Sequence, residues 1–292
     1  MKYWRDWPIK IINRDNFPKN LLSIPSCPEK LFYRGVWNED LFRKVIAIIG
    51  SREMSDYGRK AIKKLMPKII KQETVVVSGF MYGIDSYAHK ECLNLNGKTI
   101  AVLGHGLDYV YPKENDELYS QILNSGGLVI SEYEKDKTGS KWTYPERNRI
   151  VAGLATIGIL VVEAKIKSGT MITVKLGIKM DKKIMAVPGN INSETSQGTN
   201  WLIKSGVAKM INNSENIFED RIEGPTQEEL FRDFRSLSQV EREIIAILEN
   251  ETVSMIEVCQ KLNKEINQVN KILTEMIFKN LIVRNGNNFY LA

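Results

Sequence analysis

Cysteine and histidine are scarce in this chain: three cysteines (Cys27, Cys92, Cys259) and two histidines (His89, His105) among 292 residues. The cysteines are odd in number, far apart and without a Cys-x-x-Cys pair, which argues against a disulfide framework and a structural zinc site. No run of about 18 apolar residues occurs, so no transmembrane helix is expected. The start, Met1-Lys2-Tyr3-Trp4-Arg5-Asp6, lacks the apolar stretch of a secretory signal. The expectation is a reduced, cytoplasmic setting with no membrane partner and no metal. Three motifs are also missing. There is no GxGxxG, no GxxxxGK[ST] and no GxSxG, which disfavours bound NAD, P-loop ATP hydrolysis and a hydrolase elbow.

What is present is an ordinary soluble composition, 43% apolar and 26% charged, with enough chain for a large core. The charge is unevenly placed. Residues 226–292 carry 8 basic against 10 acidic side chains, net −2, whereas 1–225 carry 33 against 25, net +8. A basic body suits a polyanionic partner.

Four segments are legible. Residues 1–43 are aromatic-rich and irregular, broken by Pro8, Pro18, Pro25 and Pro28, and are expected to pack on the core. Residues 44–220 alternate β-branched runs with helical stretches. The runs are 45–49, 74–77, 99–103, 128–130, 157–162 and 183–187, with helices near 56–72, 84–95, 113–125, 146–154 and 170–180. Near-continuous apolar strands separated by helices predict a doubly wound, Rossmann-like, mostly parallel α/β sheet. Residues 221–227 read as a linker. Residues 228–292 read as a small winged-helix-like domain, with amphipathic helices over 239–249, 254–262 and 266–279 and a hairpin turning at Asn285-Gly286-Asn287.

Ligands of open α/β sheets bind beyond the carboxyl ends of the strands. There the sequence places Gly50-Ser51-Arg52, Ser78-Gly79 with Gly83-Ile84-Asp85, Glu163 followed by Ser168-Gly169-Thr170, and Pro188-Gly189. Such small residues either cap helices or let free N–H groups meet an anion. The densest cluster is Lys141-Trp142-Thr143-Tyr144-Pro145-Glu146-Arg147-Asn148-Arg149. Aromatic rings with interleaved cations suit unpaired bases and phosphates; a helix start with a packed tryptophan is the other reading. Asp85 and Glu163 are each either a catalytic carboxylate or a structural one. His89 reads as a packing residue.

In order and spacing, these motifs, with Gly104, Gly106-Leu107-Asp108, Tyr111-Pro112 and Gly198-Thr199-Asn200, resemble the DNA-processing protein A (DprA/Smf) family over roughly 15–212. The resemblance implies an extended Rossmann domain that binds single-stranded DNA. It also implies protection of incoming strands in natural transformation, loading of RecA recombinase, a homodimer, no cofactor and no catalytic residues. By the same resemblance Arg52, Lys141 and Arg147 would hold phosphates, Tyr144 would stack on a base, and Asn148, Arg149 and Lys175 would line the same path. Where the family commonly has Ala-Arg, this chain has Met81-Tyr82. The competing reading is a phosphoribohydrolase-type enzyme with Glu163 as acid or base and Arg147 as phosphate ligand. The third tail helix, with Lys271 and Lys279 against Glu265 and Glu275, carries no cationic excess for reading duplex DNA.

Overall fold

The computed structural model describes residues 2–218, 237–248, 252–279 and 281–291; the expected linker 221–227 lies outside them. The chain divides into two compact units, Met1–Asp220 and Arg221–Ala292.

The first unit is built on nine strands: β1 (Lys10–Asn13), β2 (Lys30–Gly35), β3 (Val45–Ile49), β4 (Val75–Ser78), β5 (Thr99–Leu103), β6 (Leu128–Ser131), β7 (Gly158–Val161), β8 (Ile184–Ala186) and β9 (Lys209–Met210). Its helices are α1 (Lys19–Leu22), α2 (Asp56–Lys71), α3 (Ile84–Asn94), α4 (Asp116–Asn124), α5 (Thr143–Leu154), α6 (Gly169–Lys179), α7 (Glu194–Lys204) and α8 (Glu215–Phe218). The sheet order is β1-β2-β6-β5-β4-β3-β7-β8-β9. From β6 to β9 every pairing is parallel, so the expected α/β class holds.

Every residue of β3 and β5 is buried, because helices cover both faces. Alternate residues of β3 divide between two cores. Val45, Ala47 and Ile49 pack with Ile150, Val151 and Leu154 of α5 and Val174 of α6. Ile46 and Ile48 pack with Ile62, Leu65, Met66 and Ile69 of α2 and Ala88 of α3. The spacing of the α2 residues marks one helical face, and Ser55 starts that helix by accepting from the Gly58 amide.

One expectation is corrected. The segment before β3 is not irregular: β1 and β2 extend the sheet as an antiparallel edge, with Tyr33 of β2 opposite Ile130 of β6. The prolines fall outside the strands, where a missing N–H does no harm. Arg34 of β2 is buried and donates to the Leu107 carbonyl (2.9 Å) and the Asp108 carboxylate (2.6 Å), tying the loop after β5 to this edge.

The second unit is a small domain of α9 (Gln239–Leu248), β10 (Val253–Ser254), α10 (Met255–Leu262), α11 (Ile266–Phe278), β11 (Ile282–Asn285) and β12 (Asn288–Leu291). Its strands form a sheet in the order β10-β12-β11 around a separate core of Ile244, Leu248, Val258, Val269, Leu273 and Phe289. Ser254 and Glu257 form a capping box that sets the start of α10.

Candidate nucleic-acid interface

The chain runs β3, β4, β5, β6 outward in one direction, then returns to lay β7 on the other side of β3. The β3/β7 boundary is therefore the topological switch point, and a crevice opens there beyond the carboxyl ends. It is a cavity of about 560 Å³. Gly50, Ser51 and Arg52 line it from β3, Ser168, Gly169 and Thr170 from α6, and Gly79 and Asp85 from β4 and α3. Tyr144, Arg147 and Asn148 come from α5, and Lys141 from the loop just before it.

Local bonds hold the Ser51-Arg52 turn. The Ser51 amide donates to the Glu163 carbonyl (2.8 Å), the Ile84 amide donates to the Ser51 carbonyl (3.1 Å), and the Thr170 hydroxyl donates to the Gly50 carbonyl (3.0 Å). Gly83 has φ +74°, and a Cβ there would lie 2.3 Å from the Ser51 carbonyl oxygen. Only glycine lets this backbone pass beneath the turn.

The rim carries free cations. Arg52 and Lys141 are exposed, and neither forms an ion pair among the described residues; Lys141 sits 5.2 Å over the Trp142 ring. Trp142 is 73% exposed, so it is not the packed tryptophan of the alternative reading. At the α6 start, the Ser168 hydroxyl donates to the Lys165 carbonyl (2.8 Å) and does not cap the helix. Its first amides and the positive end of its dipole remain available to an anion.

The floor is different. Arg147 is 3% exposed and donates through Nη1 to the Gly79 carbonyl (2.6 Å) and the Val102 carbonyl. Its Nη2 makes no hydrogen bond among the described residues, and a Cβ at position 79 would lie 2.7 Å from it, so Gly79 provides the room. Burial lowers Arg147 to about 10, still a cation at neutral pH. Asp85 shares the floor, and burial raises it to about 6 despite the attraction of Arg147.

Seven expected residues lie off the cavity wall. Arg149 is buried in a bidentate ion pair with Glu132 (2.6 and 2.9 Å) and donates to the Ser26 carbonyl. Two residues along a helix turn a side chain by about 200°, so Arg147 and Arg149 cannot share a face. Lys175 is exposed and lies off the wall, although Ile172, one turn before it on α6, lines the cavity. Ser78 donates to the Ile48 carbonyl (2.6 Å), and Gly83 lies beneath the turn. Glu163 is 1% exposed and accepts from the Ser55 amide (3.0 Å), the Ser55 hydroxyl and the Thr195 hydroxyl (3.1 Å). Its carboxylate thus secures the start of α2, a structural role that does not favour the acid–base reading. Pro188 accepts from the Tyr57 hydroxyl, and Gly189 exchanges hydrogen bonds with Asn200. Sequence reasoning missed Lys165, a cavity residue two positions past Glu163 that is paired with Glu53 (3.2 Å) and Glu194 (3.0 Å). Its position after a strand end was the available signal.

Among the described residues no cluster of three or more His, Cys, Asp and Glu could hold a metal ion, and no helix is long and apolar enough to cross a membrane.

The family model of DNA recombination-mediator protein A matches residues 9–221. The chain belongs to that family. The DNA processing protein DprA of Streptococcus pneumoniae is 39% identical over 220 residues, 75% of this chain and 76% of that protein. Protein Smf of Escherichia coli is 35% identical over 204 residues, 70% of this chain and 54% of that protein, so the match spans about half of Smf. The solved structure of the Streptococcus pneumoniae protein is similar to this fold at a TM-score of 0.66, 38% identity and 75% of each chain. That of Helicobacter pylori DNA processing protein A, described for its unique single-stranded DNA binding mode, gives 0.65 at 31% identity, covering 73% of this chain and 94% of that one.

Proposed function

We propose that this chain binds single-stranded DNA at the switch-point cavity and acts in DNA recombination. The observation that carries the reading is the rim: unpaired Arg52 and Lys141 beside the open α6 start, next to the rings of Tyr144 and Trp142. Unpaired cations and free amides serve phosphates, and rings serve the faces of unpaired bases. Arg147 contributes a fixed positive floor with one nitrogen to spare. The single-stranded DNA binding of the Helicobacter pylori relative supports the same assignment.

By family resemblance the reading extends to protection of incoming strands during natural transformation, handover to RecA recombinase, a homodimer and a cytoplasmic site of action. No residue is assigned a catalytic role. The small C-terminal domain is read as winged-helix-like with little affinity for duplex DNA: Lys279, at the end of α11, is already paired with Glu241 (2.8 Å). The test is fluorescence anisotropy of a labelled oligothymidylate against the full chain and its Arg52→Ala and Lys141→Ala variants. Both variants bind more weakly under this proposal; wild-type affinity in both refutes it.

A further inference from the structure

A line of rings leaves the cavity at Tyr144. Tyr111 lies 6.1 Å from it and Tyr82 lies 5.9 Å beyond, meeting Tyr111 edge-on at 81°. On the other side His105 lies 6.4 Å from Tyr144, and Tyr109 meets His105 edge-on at 5.2 Å. These residues come from three separate segments: the loop after β4, the loop after β5, and α5. All three sit at the carboxyl end of the sheet. Tyr82 and Tyr109, at the two ends of the line, are each 39% exposed.

This band is held in place. The loop carrying His105, Tyr109 and Tyr111 is tied by the Gly106 amide to the Lys137 carbonyl (2.7 Å), by the Asp108 amide to the Lys135 carbonyl (2.9 Å), and by Arg34 to Leu107 and Asp108. Burial keeps His105 neutral at physiological pH, so the middle of the band adds no charge. The hydroxyl of Tyr82 faces the Glu114 carboxylate, which disfavours a phosphate at that end. A pre-ordered, uncharged set of rings continuous with a cationic cavity fits bases whose phosphates lie elsewhere.

We infer that the rings of Tyr82, Tyr111, Tyr144 and Tyr109, braced by the buried His105 between Tyr144 and Tyr109, form a base-stacking platform that extends the footprint of single-stranded DNA beyond the phosphate cavity. This rests on the single-stranded DNA reading above.

The test compares the full-length protein with a Tyr82→Ala/Tyr109→Ala double variant and a Tyr82→Phe/Tyr109→Phe double variant. Each is titrated with a labelled oligothymidylate and with an abasic strand of equal length. The alanine variant is expected to bind the oligothymidylate at least about fivefold more weakly with an unchanged salt slope. The phenylalanine variant keeps the rings and should bind like wild type. On the abasic strand all three should bind alike. Wild-type affinity in the alanine variant, while Arg52→Ala still weakens binding, overturns the platform and leaves the cavity reading standing. An equal loss on the abasic strand also overturns it. If Arg52→Ala and Lys141→Ala bind like wild type as well, both readings fall. Should the alanine variant not fold, a more than fivefold loss in the phenylalanine variant overturns stacking, because the rings are intact.

Discussion

Asp85 is an acidic group in the floor of a cavity assigned to an anion, and this makes it the sharpest probe of the local electrostatics. It is 8% exposed, and burial outweighs the attraction of Arg147 and Arg52, raising its pKa from 3.8 to about 6. The sign follows from linkage. Between about pH 4 and pH 6 the folded chain holds a proton that the unfolded chain has lost, so stability falls as pH rises through this window and stays lower above it. At about 1.36 kcal/mol per pK unit, the charge costs the folded state about 3 kcal/mol at neutral pH. Asp85→Asn removes that ionisation. At pH 7.5 the variant should be more stable by up to about 3 kcal/mol, and the gain should shrink to near zero by about pH 4. All five tryptophans (Trp4, Trp7, Trp37, Trp142, Trp201) lie in the first unit, so denaturation followed by tryptophan fluorescence reads that unit alone. The variant should also bind oligothymidylate more tightly than wild type at pH 7.5, with the difference vanishing below about pH 6. A variant that is less stable than wild type at both pH values would refute the reasoning. It would make the carboxylate an anchor for Arg147 and not a buried cost.

Other outcomes follow from the same geometry. Arg52→Ala and Lys141→Ala should each flatten the log–log salt dependence of oligothymidylate binding by about 0.7, the value of one single-strand phosphate contact; an unchanged slope would remove that residue from the phosphate path. Trp142→Ala should weaken binding by about 1–3 kcal/mol with the slope and the melting curve unchanged, as expected for an exposed ring that stacks on a base. Gly83→Ala should destabilise the first unit by more than about 2 kcal/mol and lower DNA affinity through the displaced Arg52 turn; near wild-type melting would contradict the close approach to Ser51.

Much of the fold was readable because the central strands are apolar throughout and end at small residues. The runs at 45–49 and 99–103 match β3 and β5: both are short, rich in β-branched residues and buried throughout, as a strand covered on both faces must be. The segment before β3 was misread because four prolines in 43 residues signal irregular chain, whereas here they separate β1, α1 and β2. At the site, the turns after β3, β4 and β7 meet at one cavity because the switch point follows from strand order, whereas Pro188-Gly189 after β8 lies off its wall. Arg149 and Lys175 lie off the cavity wall for reasons the sequence did not show: Arg149 is taken up by Glu132, and Lys175 is exposed on α6 outside the wall. The tyrosine band was not visible along the sequence, since Tyr82, Tyr111 and Tyr144 become neighbours only when two loops and the start of α5 meet at the carboxyl end of the sheet.

The measurement that bears most directly on the central claim is a titration of labelled oligothymidylate with the full-length protein at several salt concentrations, with duplex DNA of equal length as competitor. Three to five phosphate contacts predict a log–log slope of about −2 to −3.5, and duplex should compete poorly. Absence of binding at low salt, or equal competition by duplex, would contradict the assignment of this cavity to single-stranded DNA.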